Sequence, residues 1–297
     1  MTNNKPADTA LGPDFLCVGA QKAGTGWLYE QLRDHSDFWM PPVKELHFFD
    51  RITDAGEALP ERSVPYARKN EERIDIARLR ARDDRDRRFL EQFSILWGRQ
   101  APDLDQYAHL FEPKGHLISG DITPGYSILP ENTIAKIVNR FPRTQVIFLA
   151  RDPVERAWSQ LSMYVRRGLI KRFDPNDLEQ ITAHLTRPEI VARSYPSETV
   201  HRWRRHVSAE HFRVFFFDDL KRDPVHLRAS IVTVLGGDPK KMSDILPPDY
   251  NPKAVKQKLP LTESARTHLA RFFEDELKAC AVELGGPATD WAKRYGL

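Results

Sequence analysis

A lysine and three glycines stand in the turn that follows the first apolar run of the sequence. Phe15 to Val18 is a short apolar segment typical of a buried strand, and residues 19–26 then read GAQKAGTG. From Trp27 onward, apolar residues recur at three- and four-residue spacing, which predicts a helix. A strand, a glycine-rich turn and a helix together favour phosphate binding, because backbone N–H groups and the positive helix end face the anion. Lys22 would add a full positive charge.

The order of these residues differs from the Walker P-loop. In that motif the lysine follows the second glycine, whereas Lys22 precedes Gly24 here. A G-x-x-K-x-G pattern alone is also compatible with a tight strand-to-helix turn that carries a surface lysine. Its position directly after a strand near the N-terminus favours the phosphate site.

A second segment adds a further anion-binding pair. Residues 146–150 form an apolar run that predicts a strand buried on both faces. Arg151 lies at its carboxyl end, where ligands bind in open parallel sheets. Asp152 suits an N-cap and Pro153 the first turn of a helix, which would place Ser159 about two turns further on. A lysine-bearing loop and an arginine–serine pair at two strand ends suit a nucleotide with two separate anionic groups.

At these segments the chain resembles the sulfotransferases that use 3′-phosphoadenosine-5′-phosphosulfate. The pattern is similar to that of the heparan sulfate sulfotransferase domains and their bacterial relatives. Residues 19–25 match the family's G-x-x-K-x-G-T loop, and residues 151–159 match its R-D-P-x-x-R-x-x-S segment. Residues 44–49 resemble its K-E-x-x-F-F element, and residues 121–126 its E-K-x-P-x-Y element. Four motifs in this order are specific, and the resemblance covers residues 14–168 well and the remainder weakly.

The resemblance implies that the phosphosulfate nucleotide is the donor co-substrate and that no metal takes part. Lys22 would stabilise the bridging oxygen while the backbone of residues 23–27 holds the 5′-phosphate. Arg151 and Ser159 would bind the 3′-phosphate. The loop NPKAVKQKLP loosely resembles the family's clasp over the nucleotide, which makes Lys256 and Lys258 candidates, with an ordinary basic loop as the alternative. The predicted donor-binding residues are therefore Lys22, Ala23, Gly24, Thr25, Gly26, Trp27, Arg151, Ser159, Lys256 and Lys258.

Glu45 is the predicted catalytic base, acting together with Lys22. The alternative interpretation of Glu45 is a surface glutamate paired with Lys44. Its apolar neighbours would partly desolvate a carboxylate that can accept a proton from a hydroxyl, and the matching family residue is the base. His47 is the rival base, because imidazole is the commonest general base and the cytosolic small-molecule sulfotransferases use a histidine. We prefer to interpret His47 as a residue that supports the base or binds the acceptor.

The chain departs from the heparan-type pattern at one motif. Asp121 and Ile122 stand where that pattern has glutamate and lysine, so a basic residue near the acceptor is missing. Asp121 could still orient the acceptor or the neighbours of Lys22. Because the basic residue is missing, we expect an acceptor unlike heparan. We expect a small-molecule or glycan acceptor, such as a secondary metabolite, sulfated at a hydroxyl or an amine.

Strands that alternate with helices predict a single α/β domain. Its core would be a mostly parallel, doubly wound, P-loop-like sheet flanked by helices. The predicted strands are 14–19, 38–40, 116–120, 145–150 and 212–217. The predicted helices are 25–34, 130–140, 153–167, 197–208, 223–235 and 262–283. Residues 1–12 would form a tail, residues 13–297 the sulfotransferase domain, and residues 51–115 an insertion on the acceptor side.

Composition limits the remaining functions. A net charge of +3 over 297 residues is small, so the overall charge does not indicate nucleic-acid binding. The sequence has neither an apolar run of transmembrane length nor a signal-peptide core at its start, which favours a cytoplasmic protein. Cys17 and Cys280 are predicted to be core residues. The oligomeric state is not predicted.

Two alternative functions stay open at this point. A P-loop nucleotide kinase would need a Walker lysine and a strand-end aspartate for Mg²⁺, whereas the strand at 146–150 ends in arginine. A non-catalytic nucleotide-binding protein would keep Lys22 and Arg151 but would not need Glu45.

Overall fold

The computed structural model describes residues 11–51, 63–97, 103–242, 246–250 and 259–297, with backbone only for 51, 63–70 and 97. The strands are β1 Phe15–Gly19, β2 Gly120–Ile122, β3 Gln145–Ala150 and β4 Phe212–Phe216. The α-helices are α1 Thr25–Arg33, α2 Ser63–Leu79, α3 Asp84–Trp97, α4 Leu104–His109, α5 Glu131–Arg140, α6 Pro153–Arg166, α7 Leu178–Leu185, α8 Pro188–Val191, α9 Pro196–Arg204, α10 Phe217–Arg222, α11 Pro224–Val234, α12 Glu263–Phe272 and α13 Glu274–Leu284. Short 3₁₀ helices span Phe49–Arg51, Glu112–Lys114, Pro124–Ile128, Pro239–Lys241, Gly286–Asp290 and Lys293–Tyr295.

The strands form a parallel sheet in the order β2-β1-β3-β4. Phe15 of β1 lies opposite Gly120 on one side and Gln145 on the other, while Val146 of β3 lies opposite Phe212. Every residue of β1 is buried, as its apolar composition requires for a strand with neighbours on both sides. The predicted single α/β domain with a mostly parallel sheet flanked by helices is confirmed.

The end of β1 is tightly packed at Gly19. A Cβ atom at this position would lie 2.6 Å from Cε2 of Phe148 and 3.1 Å from Cβ of Ser127. Only glycine therefore fits where β1 enters the turn, with β3 on one side and the 3₁₀ helix at 124–128 on the other.

Two predicted strands differ from the observed ones. The segment 38–40 makes one parallel bridge, between Phe38 and Ile118, and forms no strand. Pro41 and Pro42 follow directly and have no N–H with which to extend a ladder. The strand predicted at 116–120 begins only at Gly120, because Ile118 is hydrogen-bonded to the backbone of the 37–39 segment.

The long helix predicted at 262–283 is two helices. α12 ends at Phe272, and Phe273 leaves helical geometry with φ −103° and ψ 17°. Glu274, Asp275 and Glu276 then occupy the first turn of α13, where negative side chains interact favourably with the helix dipole. Periodicity alone did not reveal this new start.

The two cysteines lie in the core, as predicted. Cys17 and Cys280 are both fully buried and unbridged. Among the described residues, no helix combines the length and apolarity that crossing a bilayer would require.

Candidate active site

The predicted phosphate loop joins β1 to α1. Lys22 and Gly24 adopt positive φ angles of 74° and 96°, which turn the chain sharply into the helix. Gly24 is the N-cap of α1 and makes no side-chain capping hydrogen bond. The first amides of α1 are thus not engaged by a capping side chain, which is the arrangement that suits an anion. Of the predicted loop residues, Ala23, Thr25 and Trp27 are buried, whereas Lys22, Gly24 and Gly26 are partly exposed.

Arg151 connects the second predicted segment to this loop. Its Nη1 donates to the carbonyl oxygen of Lys22 at 2.7 Å, and its Nη2 contacts Oε2 of Glu155 at 3.0 Å. Asp152 caps α6 through the amide of Val154 at 2.9 Å, as predicted. Ser159 is half-buried further along α6. The structure therefore brings Lys22 and Arg151 together at one edge of the sheet.

α10, which the sequence pattern did not predict, lies beside both segments. The Arg151 guanidinium lies 4.3 Å from the ring centroid of Phe217, within the range of a cation–π interaction. Lys221 contacts Oε2 of Glu155 at 2.7 Å, so Arg151 and Lys221 share one carboxylate. A Cβ at Gly24 would lie 2.9 Å from Leu220. The rule that ligands bind at the carboxyl ends of parallel strands could have found α10, because it follows β4 directly.

Glu45 lies in a chain of alternating charges. Its Oε1 is 2.6 Å from Nζ of Lys44, and its Oε2 is 3.5 Å from Nε2 of His47. The other ring nitrogen of His47 is 2.6 Å from Oδ2 of Asp50. The Glu45 side chain is 40% exposed, so an acceptor can reach it.

These contacts set the protonation states. Burial alone would raise the pKa of Glu45, but the charge of Lys44 and hydrogen bonds from His47 and Lys44 hold it well below its usual range. Burial alone would lower the pKa of His47, but hydrogen bonds to Asp50 and Glu45 raise it to about 9. With these shifts Glu45 is ionised and His47 is protonated at neutral pH, so of the two only Glu45 could accept a proton, and its lowered pKa makes it a weak base while Lys44 is in place.

The backbone around Glu45 is held by hydrogen bonds from a residue of α2. Glu45 and His47 have φ angles of 63° and 53°, in the left-handed region that side chains other than glycine rarely adopt. Arg73, on α2, donates through Nη2 to the carbonyl oxygens of Lys44 and Glu45, the latter at 2.8 Å.

Asp121 is buried, with 1% exposure. It accepts hydrogen bonds from Thr123, Tyr107, Tyr126 and the amide of Leu46. Its carboxylate faces these protein groups, which does not suit the direct contact with an acceptor that the sequence suggested.

One family match covers the segments that carry Lys22, Glu45, Asp121 and Arg151. The model of the Sulfotransferase family matches residues 13–238. The chain belongs to the sulfotransferase family. No curated protein sequence is matched by the chain.

Two solved structures show the same fold. A sulfotransferase from Alicyclobacillus acidocaldarius aligns with a TM-score of 0.64 at 21% identity, covering 94% of this chain and 98% of that one. A sulfotransferase domain from the curacin biosynthetic pathway aligns with a TM-score of 0.50 at 13% identity, covering 97% of each chain. The P-loop-like α/β fold is thereby confirmed, and family membership supports sulfotransferase activity. The resemblance to the heparan sulfate enzymes stays a prediction.

Lys256 and Lys258 lie outside the described residues. The chain on either side of them is hydrogen-bonded to the two nucleotide segments: Nε1 of Trp27 donates to the carbonyl of Pro248 at 2.6 Å, and Nε1 of Trp158 to that of Leu259 at 3.1 Å. The predicted role of the two lysines stays a prediction.

A groove of about 750 Å³ begins beside the candidate base. Its walls come from α1, the segment 42–44, α2 and the chain leading into α3. Its charged side chains are the basic Arg33, Lys44, Arg73, Arg80 and Arg82 and the acidic Glu30, Asp34 and Asp86. Lys44 and Arg73 belong to the groove and also contact Glu45, so the groove leads to the candidate base.

The protonation of His47 predicts a pH-dependent stability. The pKa of His47 is raised from 6.5 to about 9 in the fold, so its stabilisation is complete below pH 6.5 and is lost as the pH rises through about 9. We expect this term to be on the order of 3 kcal/mol, and to be absent from a His47→Gln variant. Urea denaturation of both proteins at about pH 6 and about pH 10 measures it. Identical pH dependence in the two proteins would contradict a protonated His47.

Proposed function

We propose that the chain transfers a sulfuryl group from 3′-phosphoadenosine-5′-phosphosulfate to a hydroxyl or amine of an acceptor, such as a glycan or a secondary metabolite. The observation that carries this proposal is that three segments meet at one edge of the sheet. They are the loop with Lys22, the start of α6 with Arg151 and the segment with Glu45. Arg151 donates to the Lys22 carbonyl. The 3₁₀ helix at 124–128 lies between the Lys22 loop and residues 44–50, the base segment, which carries Glu45. Its Ser127 adjoins Gly19, and its Gly125 adjoins His47.

The donor would bind across the loop and α6. Amides at the start of α1 and Lys22 would contact the 5′-phosphosulfate, and Arg151 with Ser159 the 3′-phosphate. Lys221 is a further candidate for that phosphate, because it shares Glu155 with Arg151. A dianionic phosphate would compete with Glu155 for both cations.

In the proposed reaction, Glu45 accepts the proton of the acceptor. The acceptor oxygen or nitrogen bonds to sulfur while the bond from sulfur to the bridging oxygen breaks, in line with attack. The electron pair goes to the phosphate of 3′,5′-diphosphoadenosine, where Lys22 and the loop amides stabilise the charge. Lys44 keeps the pKa of Glu45 low. Movement of Lys44 toward the donor sulfonate would raise the pKa of Glu45 and make it a stronger base.

The first test concerns the donor site. The chain should bind 3′,5′-diphosphoadenosine much more tightly than 5′-AMP, without Mg²⁺, because side-chain cations and amides supply the positive charge. Arg151→Ala should weaken the former about 10- to 100-fold and the latter little, since it removes charge-assisted hydrogen bonds to the 3′-phosphate. Isothermal calorimetry measures both affinities.

Arg167→Ala is the matched control for Arg151→Ala, because Arg167 is exposed beyond the end of α6. Equal affinity of the wild-type chain for the two nucleotides would remove the 3′-phosphate site from the proposal.

The second test separates binding from chemistry. Glu45→Gln keeps the shape of the side chain and removes the base, so turnover should fall by roughly a hundredfold or more while nucleotide affinity stays near wild type. Glu71→Gln, on the exposed face of α2, is the control. Transfer is followed with radiolabelled donor and the acceptor that a screen of glycans, phenols, lipids and peptides identifies. Loss of turnover in His47→Ala with full turnover in Glu45→Gln would instead make His47 the base.

The third test concerns the groove, which we propose as the acceptor site and which the predicted insertion forms in part. Arg80→Ala should raise the acceptor KM about tenfold, as expected for one lost charged contact, and leave donor affinity unchanged. Arg78→Ala is the control, because Arg78 is close in sequence, pairs with Asp75 and does not line the groove. Steady-state kinetics with the same acceptor give both constants. If the two variants behave alike, the acceptor does not use this part of the groove.

A further inference from the structure

The buried carboxylate of Asp121 is connected to the base segment. Asp121 lies in β2, and its Oδ2 accepts the hydroxyl of Tyr126 at 2.7 Å and that of Tyr107 at 3.2 Å. Its Oδ1 accepts the hydroxyl of Thr123 at 2.6 Å and the amide of Leu46 at 3.4 Å. The Tyr126 hydroxyl in turn accepts the amide of Phe48 at 3.0 Å.

These two amides flank His47. The Leu46 N–H donates to Asp121, and the Phe48 N–H donates to Tyr126. The residue before each of these amides, Glu45 or His47, is in the left-handed region. Left-handed residues cost conformational free energy and persist where the surroundings over-determine them. The Asp121–Tyr126 pair holds this backbone through its amide groups, and Arg73 holds it through its carbonyl oxygens.

The same motif also leaves room for the charged pair of the base segment. A Cβ at Gly125 would lie 3.0 Å from Oδ2 of Asp50 and 3.3 Å from Cε1 of His47. Gly125 thus permits the close approach of His47 and Asp50, while the next residue, Tyr126, holds the backbone beside them.

We infer that Asp121, Gly125 and Tyr126 are positioning residues, which fix the backbone of residues 45–48, with its left-handed Glu45 and His47, so that His47 stays between the Asp50 and Glu45 carboxylates. This inference rests on the proposed function, since it matters for catalysis only if Glu45 is the base. It gives Asp121 a role through the backbone, in place of contact with the acceptor.

The test measures the His47 imidazole directly. The charged groups described around it include Glu45 and Asp50, Lys44 through its contact with Glu45, Arg73 on the carbonyl oxygens of Lys44 and Glu45, and Asp121 behind Tyr126. Tyr126→Phe removes the hydroxyl that joins Asp121 to the Phe48 amide. We expect the pKa of His47 to fall from about 9 by about one unit or more toward 6.5. NMR titration of histidine-labelled, donor-free protein gives the value, with His47→Gln assigning the signal.

Tyr107→Phe is the matched control. It removes a hydroxyl bonded to the same oxygen of Asp121, from an equally buried tyrosine, but this hydroxyl is not the partner of the Phe48 amide. Its His47 pKa should stay near that of wild type. Equal shifts in the two variants would indicate a general loss of packing and would overturn the inference.

Gly125→Ala is the second variant, in case Tyr126→Phe folds poorly. Its methyl group should push His47 from Asp50 and lower the pKa of His47, while nucleotide affinity by calorimetry stays unchanged. An unchanged His47 pKa in every folded variant overturns the positioning role. Failure of the wild type to bind 3′,5′-diphosphoadenosine would instead overturn the proposed function, so the two failures are distinguishable.

Discussion

The parallel pairing of β1 with both of its neighbours is the constraint on which the candidate site depends. Parallel strands end at the same edge of a sheet, so the segments that follow β1, β2 and β3 emerge side by side. The segment after β1 carries Lys22, and the segment after β3 carries Arg151, which donates to the Lys22 carbonyl. β2 itself carries Asp121, which reaches the base segment. A different strand order would separate groups that here lie in contact.

The cations at this edge are held by carboxylates that an incoming anion could replace. Arg151 and Lys221 share Glu155, and Lys44 pairs with Glu45. Such pairs keep the cations in place and offset their charge. In the proposed reaction, donor anions would compete for these cations, because phosphates form strong charge-assisted hydrogen bonds.

The sequence predicted the parts of the site that are local in the chain. Lys22 and Arg151 each lie in a strand–turn–helix unit, whose pattern fits within about twenty residues, and the parallel sheet followed from the same units. The shape of the base segment could not be predicted, because the left-handed residues Glu45 and His47 depend on partners far along the chain. The role of Asp121 could not be predicted for the same reason. Its residue type suggested acceptor contact, whereas its burial and its bonds to Tyr126 and Leu46 appear only in the fold.

The charge balance of the base segment bears on how transfer would proceed. Lys44 and the protonated His47 alternate with two acidic side chains, those of Glu45 and Asp50, so the formal charges of the four side chains cancel. A proton accepted by Glu45 from the acceptor would leave this segment with one positive charge. In the proposed reaction, that charge would arise while negative charge grows on the leaving phosphate, and opposite charges stabilise each other strongly where water is excluded. His47 would stay protonated only while it keeps both carboxylate neighbours, and a protonated His47 holds the pKa of Glu45 low. The positioning of His47 and the basicity of Glu45 would thus depend on the same left-handed backbone.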